Sequence, residues 1–386
     1  MNTQEKDKEY IASTYGRFPL TIVSGNGCRV TDEEGKEYID LGTGIAVNVF
    51  GVGDEEWIRA VTEQLSKVQH TSNLFYSKPC ADLAEELCKR TGLRKVFFSN
   101  SGAEANETAV KVARKYAAEK KGSEHNVVIT LKNSFHGRTV TMLSATGQDT
   151  FHRDFLPLTE GFVYAEANNL DDVKRLVKEN KVAAIMFETV QGEGGVLPLT
   201  QDFVKGLEEI GKREDILLIV DEVQTGNGRC GALYNYMNYS ITPDIVTTAK
   251  GLGGGLPLGA TMLGEKVKDV LHPGDHGSTF GGNPVATAGA LSIIKRIDEK
   301  LLSEVREKSE YIFSAFKGAE GVKSVSGAGL MIGIETEKDA SEVLSLAREK
   351  GVIAIKAKNK VRLLPPLNIP MDDLKKAVEV LLEVMK

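Results

Sequence analysis

Apolar positions divide the chain into two regimes. From about residue 95, short apolar runs alternate with stretches of helical period. The runs at Val96–Ser99, Val127–Leu131, Ala183–Glu188, Leu217–Asp221 and Ile245–Thr247 are nearly continuous rather than alternating, as in strands covered on both faces. Between them, Ala105, Thr108, Ala109, Val112, Ala113 and Tyr116 keep a three-four spacing. The stretch from Thr200 through Phe203, Val204, Leu207 and Ile210 does the same. Alternating β and α segments with buried strands predict an α/β fold around a mostly parallel sheet.

Outside this region the order differs. Residues 30–47 read as strand and turn, with Asp-Glu-Glu-Gly at 32–35 as a hairpin signal. After about residue 283 comes a long helical region, then SVSGAGLMIGIE as a strand. A helix follows, with Ala340, Val343, Leu344 and Ala347 on one face and Gly351 at its end. VIAIKA and VRLLPP read as short strands, and Leu374, Ala377, Val378, Leu381, Leu382 and Met385 mark a last helix. This tail predicts a smaller α+β domain over 283–386, a large domain over 51–282, and an N-terminal segment, 1–50, that joins the small one. No repeat or low-complexity segment interrupts the pattern.

Composition narrows the function. Against 54 acidic residues the chain sets 48 Lys and Arg, a formal charge of −6. A mildly acidic surface is a poor partner for nucleic acid or an anionic membrane. No apolar run approaches the roughly eighteen residues a spanning helix needs, and MNTQEKDKEY lacks a signal-peptide pattern. The four cysteines and six histidines are dispersed, so neither a disulfide framework nor a metal cluster is expected. A cytoplasmic enzyme without a metal is the expectation.

Five segments carry candidate chemistry. In FFSNSGAEANETAVKVAR (97–114) a strand ends in Ser-Asn-Ser-Gly-Ala and a helix begins at once, so its free N–H groups are placed to hold a phosphate; an ordinary capped helix reads the same way. In LLIVDEVQTGNGR (217–229), Asp221 ends an apolar strand, where open α/β sheets place ligands and where a carboxylate needs a partner such as a protonated ring nitrogen. The literal G-x-G-x-x-G at Gly226, Gly228 and Gly231 is followed by no helix, which removes the dinucleotide reading. Lys250 precedes five glycines in DIVTTAKGLGGGLPLGA (244–260), a setting that suits a desolvated lysine meeting a carbonyl. HGSTFGGNP (276–284) offers Ser278 and Thr279 to an anion, and NSFHGRTV (133–140) offers Phe135 to a planar ring and Arg138 to a carboxylate. Each is ambiguous alone. Together they are the parts that pyridoxal phosphate chemistry needs: a lysine, an acid for the ring nitrogen, a phosphate cradle and a guanidinium for an amino-acid substrate.

The sequence resembles the class III aminotransferases of pyridoxal-phosphate fold type I, and among them most closely the acetylornithine aminotransferases. The resemblance runs from Tyr15 to the last helix, through DEEGKEYIDLGTGIAVN, SNSGAEANE, FHGRT, QGEGGV, DEVQTGNGR, AKGLGGGLPLGA, HGSTFGGNP and RLLPPL. It implies a large domain with a mostly parallel sheet and a smaller α+β domain. It implies that Lys250 is the Schiff-base lysine and proton-shuttling base, and that Asp221 pairs with the pyridine N–H. Ser101, Gly102 and Ala103 would hold the phosphate and Phe135 would stack on the ring. Glu222, Val223 and Gln224 complete the cofactor-binding stretch, with Gln224 on the ring hydroxyl oxygen. Thr279 would reach the phosphate of the other subunit in a homodimer, and Ser278 beside it would touch substrate. Arg138 would bind a substrate carboxylate. Glu188 and Arg362 would form a pair that opens to admit 2-oxoglutarate or glutamate. The implied reaction moves the δ-amino group of N2-acetylornithine to 2-oxoglutarate, with other ω-amino donors as the alternative. Gly44, where ornithine-using relatives carry tyrosine, would leave room for an N-acetyl group. Three departures stand out: Thr189, Cys230, and GVGDEE at 51–56, which lacks a His-Pro ending.

Overall fold

Strands buried on both faces have no polar side to alternate with, and the computed structural model, which describes residues 1–386, shows this directly. Val182–Phe187 and Leu217–Asp221 are buried at every position. They lie inside a seven-stranded sheet ordered Lys95–Ser99, Gly259–Leu263, Ile245–Thr248, Leu217–Asp221, Val182–Phe187, Val127–Leu131, Phe162–Ala165. Gly259–Leu263 pairs antiparallel with both neighbours, and the other pairings are parallel. The five expected strands are present with ends within one residue. Two strands were not anticipated: Phe162–Ala165, and Gly259–Leu263, before which the glycine run reads as loop.

Helices cover the sheet. Ser101 caps the helix Gly102–Lys121, its side chain accepting from Glu104 N, and Ala105, Ala109, Val112, Ala113 and Tyr116 form the buried face. Helix Gln201–Glu214, capped by Thr200, buries Phe203, Val204, Leu207 and Ile210. The parallel strands all point their C-terminal ends toward one edge, where Asn100, Glu188, Asp221 and Lys250 follow directly.

Two smaller sheets complete the molecule. Ile22–Asn26, Arg29–Asp32, Glu37–Asp40 and Val352–Ile353 form one, so N- and C-terminal segments share a sheet. Val322–Ala328, Met331–Thr336, Lys360–Leu363 and Ile355–Ala357 form the other, entirely antiparallel. SVSGAGLMIGIE is therefore a hairpin and not the single strand expected. Gly329, at positive φ, turns the chain between its arms. No helix is long and apolar enough to cross a membrane.

Arg229 ties the second small sheet to the large one. It is fully buried without a carboxylate partner, and its Nη1 donates to Leu330 O (3.1 Å) and Pro365 O (2.5 Å). Burial pushes its guanidinium down to about 10. Arg229→Ala removes both bonds and leaves two carbonyls unpaired. Denaturant unfolding is expected to show a loss of about 3 kcal/mol or more. A loss below about 1 kcal/mol would mean the tie is dispensable.

Candidate active site

A cavity of about 610 Å³ opens over the C-terminal edge of the large sheet. It collects residues from five connections: Ser101, Gly102 and Ala103; Phe135 to Arg138; Glu188; Asp221, Val223 and Gln224; and Ala249 and Lys250. Open α/β sheets bind ligands at this edge because strand ends and helix starts there leave backbone groups and side chains free.

Asp221 is 3% exposed, and its orientation is fixed from three sides. Oδ2 accepts from Asn106 Nδ2 at 2.8 Å and lies 2.8 Å from His136 Nδ1; Oδ1 accepts from Val223 N at 3.0 Å. A carboxylate facing Nδ1 requires the proton on that nitrogen, which leaves His136 Nε2 buried and without a partner. Asn106 is itself oriented: its Oδ1 accepts from Thr247 Oγ1 (2.6 Å), and its Nδ2 also donates to His136 O (2.8 Å).

Lys250 begins a short turn after the strand Ile245–Thr248 and holds φ at +46°, a left-handed conformation uncommon outside glycine. Its ammonium lies among Glu193, Arg362, Asp221 and Glu188 and is hydrogen-bonded to none of them. Burial of its surroundings pushes it below the ordinary lysine range. A lysine in that state gives up its proton readily, as a nucleophilic amine must.

At the start of helix 102–121, the first N–H groups have no partner within the helix. Gly102 is required there, because a Cβ would sit 2.7 Å from a Val223 methyl. Val223 lines the cavity with Phe135. Arg138 is exposed and has no carboxylate partner; its guanidinium lies 4.3 Å from the centre of the Phe151 ring and 5.6 Å from that of Phe135. Ser278 Oγ accepts from Asn100 Nδ2 (3.2 Å) and from Gly281 N (2.9 Å). Thr279 is exposed and outside this cavity.

The profile described as Aminotransferase class-III matches residues 10–385. The chain belongs to the class III aminotransferase family. It is 47% identical to the acetylornithine aminotransferase of Haemophilus ducreyi, an alignment covering 99% of this chain and 98% of the relative. It is 44% identical to that of Aquifex aeolicus, covering 97% and 100%. Among solved structures, the ornithine aminotransferase from Toxoplasma gondii matches with a TM-score of 0.95 at 30% identity, covering 100% of this chain and 95% of that one. The N-acetylornithine aminotransferase from Stenotrophomonas maltophilia matches at 0.85 and 34%, covering 98% and 97%.

Two expectations for this class III aminotransferase need correction. Arg362, 2% exposed, does not meet Glu188. Its Nη1 donates to Glu193 Oε1 at 2.6 Å and to Gln224 Oε1 at 3.0 Å. Arg362 also holds the Glu193 carboxyl below the usual range, against the upward push of burial. Glu188 instead ties two loops together, Oε2 accepting from Phe135 N (2.9 Å) and Oε1 from Gly192 N (3.2 Å). Glu222 does not face the cavity. It accepts from Thr225 Oγ1 (2.6 Å), Asn235 N (3.0 Å) and Tyr236 N (2.6 Å), and so anchors the loop behind the strand. Gln224 lines the cavity while bonded to Arg362.

Three polar residues were missed: Asn106, His136 and Glu193. All three sit inside segments already singled out. Asn106 also occupies a buried position on the apolar face of its helix, which marks it as a polar group in need of a partner.

Burial pushes both Glu188 and Glu222 up from 4.5 to about 7. The folded protein therefore keeps these protons where the unfolded chain has lost them, and stability falls as pH rises from about 4.5 through about 7. Glu222→Gln removes one such group. Denaturation at several pH values is expected to show the slope in that window reduced by up to about 1.4 kcal/mol per pH unit. An unchanged slope would contradict the assignment.

Proposed function

We propose that the chain binds pyridoxal phosphate in the 610 Å³ cavity and transfers the δ-amino group of N2-acetylornithine to 2-oxoglutarate. The observation that carries this reading is Lys250, an amine without a hydrogen bond, sharing one cavity with an Asp221 pinned by His136 and Asn106. The glycine cradle at the helix start, closed to any Cβ by Val223, fits the phosphate end of the same group.

Pyridoxal phosphate supplies, when bound, an aldehyde that captures the donor amine and a protonated ring that takes up the electron pair left when a carbon loses its proton. The protein does the rest. Ser101, Gly102 and Ala103 hold the phosphate, and Phe135 and Val223 flank the ring. Asp221 keeps the proton on the ring nitrogen, with His136 and Asn106 preventing its rotation. Lys250 Nζ, its charged form disfavoured by burial, would take the proton from the donor's Cδ and pass it to the aldehyde-derived carbon of the cofactor within the same half-reaction, and in the second half-reaction would carry a proton the opposite way, onto the α-carbon of the acceptor.

Charge selection falls to two arginines. Arg138, free of any carboxylate, binds a substrate carboxylate at the mouth. Arg362 is neutralised by Glu193 while the acetylated donor is bound, and release of that pair exposes it to the α-carboxylate of 2-oxoglutarate or glutamate. The role assigned by sequence to Glu188 thus belongs to Glu193. Around Gly44 a Cβ would meet nothing closer than 3.8 Å, so the space that a tyrosine would fill is open here. That supports the acetylated donor over ornithine.

We place Thr279, exposed and outside its own chain's cavity, at the phosphate of a second copy, making the enzyme a homodimer. Four free cysteines suit a reducing compartment, the cytoplasm.

A donor panel with 2-oxoglutarate tests the assignment. N2-acetylornithine is expected to give the highest kcat/KM; a roughly tenfold advantage for ornithine or 4-aminobutyrate, about 1.4 kcal/mol, would overturn it. Glu193→Ala is expected to raise activity with glutamate relative to acetylornithine by about tenfold. An unaltered ratio would remove Glu193 as the gate.

A further inference from the structure

We propose that Trp57 is a positioning residue for Lys250, clamping from behind the glycine turn on which the lysine stands. This deepens the reading above and rests on it for the role of Lys250.

Trp57, the chain's single tryptophan, sits on the helix Glu55–Leu65, directly after GVGDEE at 51–56. Its Nε1 donates to Gly253 O at 3.1 Å. Gly253 N in turn donates to Lys250 O at 3.1 Å, closing the turn. One chain of hydrogen bonds therefore runs from the indole to the lysine backbone. The indole also lies against the glycines. A Cβ on Gly254 would stand 3.0 Å from Nε1, and one on Gly255 would stand 3.8 Å from the six-membered ring. On its other side, a Cβ on Gly289 would be 2.8 Å from Nε1.

The turn needs this support. Lys250 is held at φ +46°, which a non-glycine residue keeps only where the surroundings impose it. Gly255 lines the active-site cavity on one face and, on the other, a second cavity of about 210 Å³ that Trp57 also lines. The wall between the two is a single layer of glycine backbone there, with no side chain of its own. The indole, beside Ile293, is the rigid body behind it. Its helix is fixed in turn. Asp54, just before the first turn, takes a two-pronged ion pair from Arg296 (2.9 and 2.5 Å), and Arg296 lies 4.1 Å from the centre of the Phe50 ring. Asp54 thus anchors the helix that carries the buttress.

Hydrogen exchange in the cofactor-free protein reads the clamp without any activity. Trp57→Phe keeps the bulk and loses the N–H; Gly289→Ala displaces the indole without touching the turn. In both, amides of 252–256 are expected to exchange about tenfold faster, the effect of one lost hydrogen bond, while strand 217–221 keeps its protection. In the loaded enzyme both variants are expected to lower kcat about tenfold with KM within about twofold, the signature of a displaced catalytic group. Unchanged exchange at 252–256, or equal acceleration in both regions, would overturn the proposal. Local acceleration in a protein that takes no pyridoxal phosphate would sink the functional reading and leave the clamp standing.

Discussion

A carboxylate at the end of a buried apolar strand is tolerated only where hydrogen bonds replace lost water. Asp221 is such a group, and much of the site exists to hold it. Thr247, its partner on the neighbouring strand, orients Asn106; Asn106 and His136 orient Asp221; and Asn106 also fixes the backbone at His136. The network joins two strands, one helix and the Phe135 loop. A ring placed against Asp221 therefore meets a pre-set partner, and the electrostatic work of catalysis requires no reorganisation there.

Opposite Asp221 the logic reverses. Lys250 is left without a hydrogen bond, its charged form disfavoured by burial. Two arginines are paired, Arg362 with Glu193 and Arg296 with Asp54 outside the cavity, while Arg138 is left without a carboxylate. Arg362 comes from Lys360–Leu363 in the second small sheet, and the same sheet region is bound to the large one through Arg229. The site is therefore only as well defined as the seating of one sheet against the other.

Much of this was legible before any coordinates. Continuous apolar runs located the strands, because burial on both faces leaves no alternative pattern. Glycine-rich turns and the strand-end acid located the chemistry. Errors arose where sequence order hides direction. SVSGAGLMIGIE reads as one strand because the single glycine that turns it, Gly329, is small enough to pass as a sheet residue. ETVQGEGG contains two glutamates, and spacing alone does not say which faces Arg362. The short ribbon of Val190–Gln191 with Leu197–Pro198 folds that loop back and decides for Glu193. Glu222 follows Asp221 directly, yet successive residues at a strand end point to opposite faces, and it turns inward. His136 and Asn106 line the cavity and lie within FHGRT and SNSGAEANE, but they act on Asp221, and a motif does not show which side chain its residues face.

Everything chemical in the account requires that one amine, and no other, carries the cofactor. Borohydride reduction of the protein saturated with pyridoxal phosphate, followed by peptide mass mapping, tests this directly. The account predicts a single stoichiometric phosphopyridoxyl label on Lys250. A label distributed over surface lysines, with Lys250 unmodified, would contradict it.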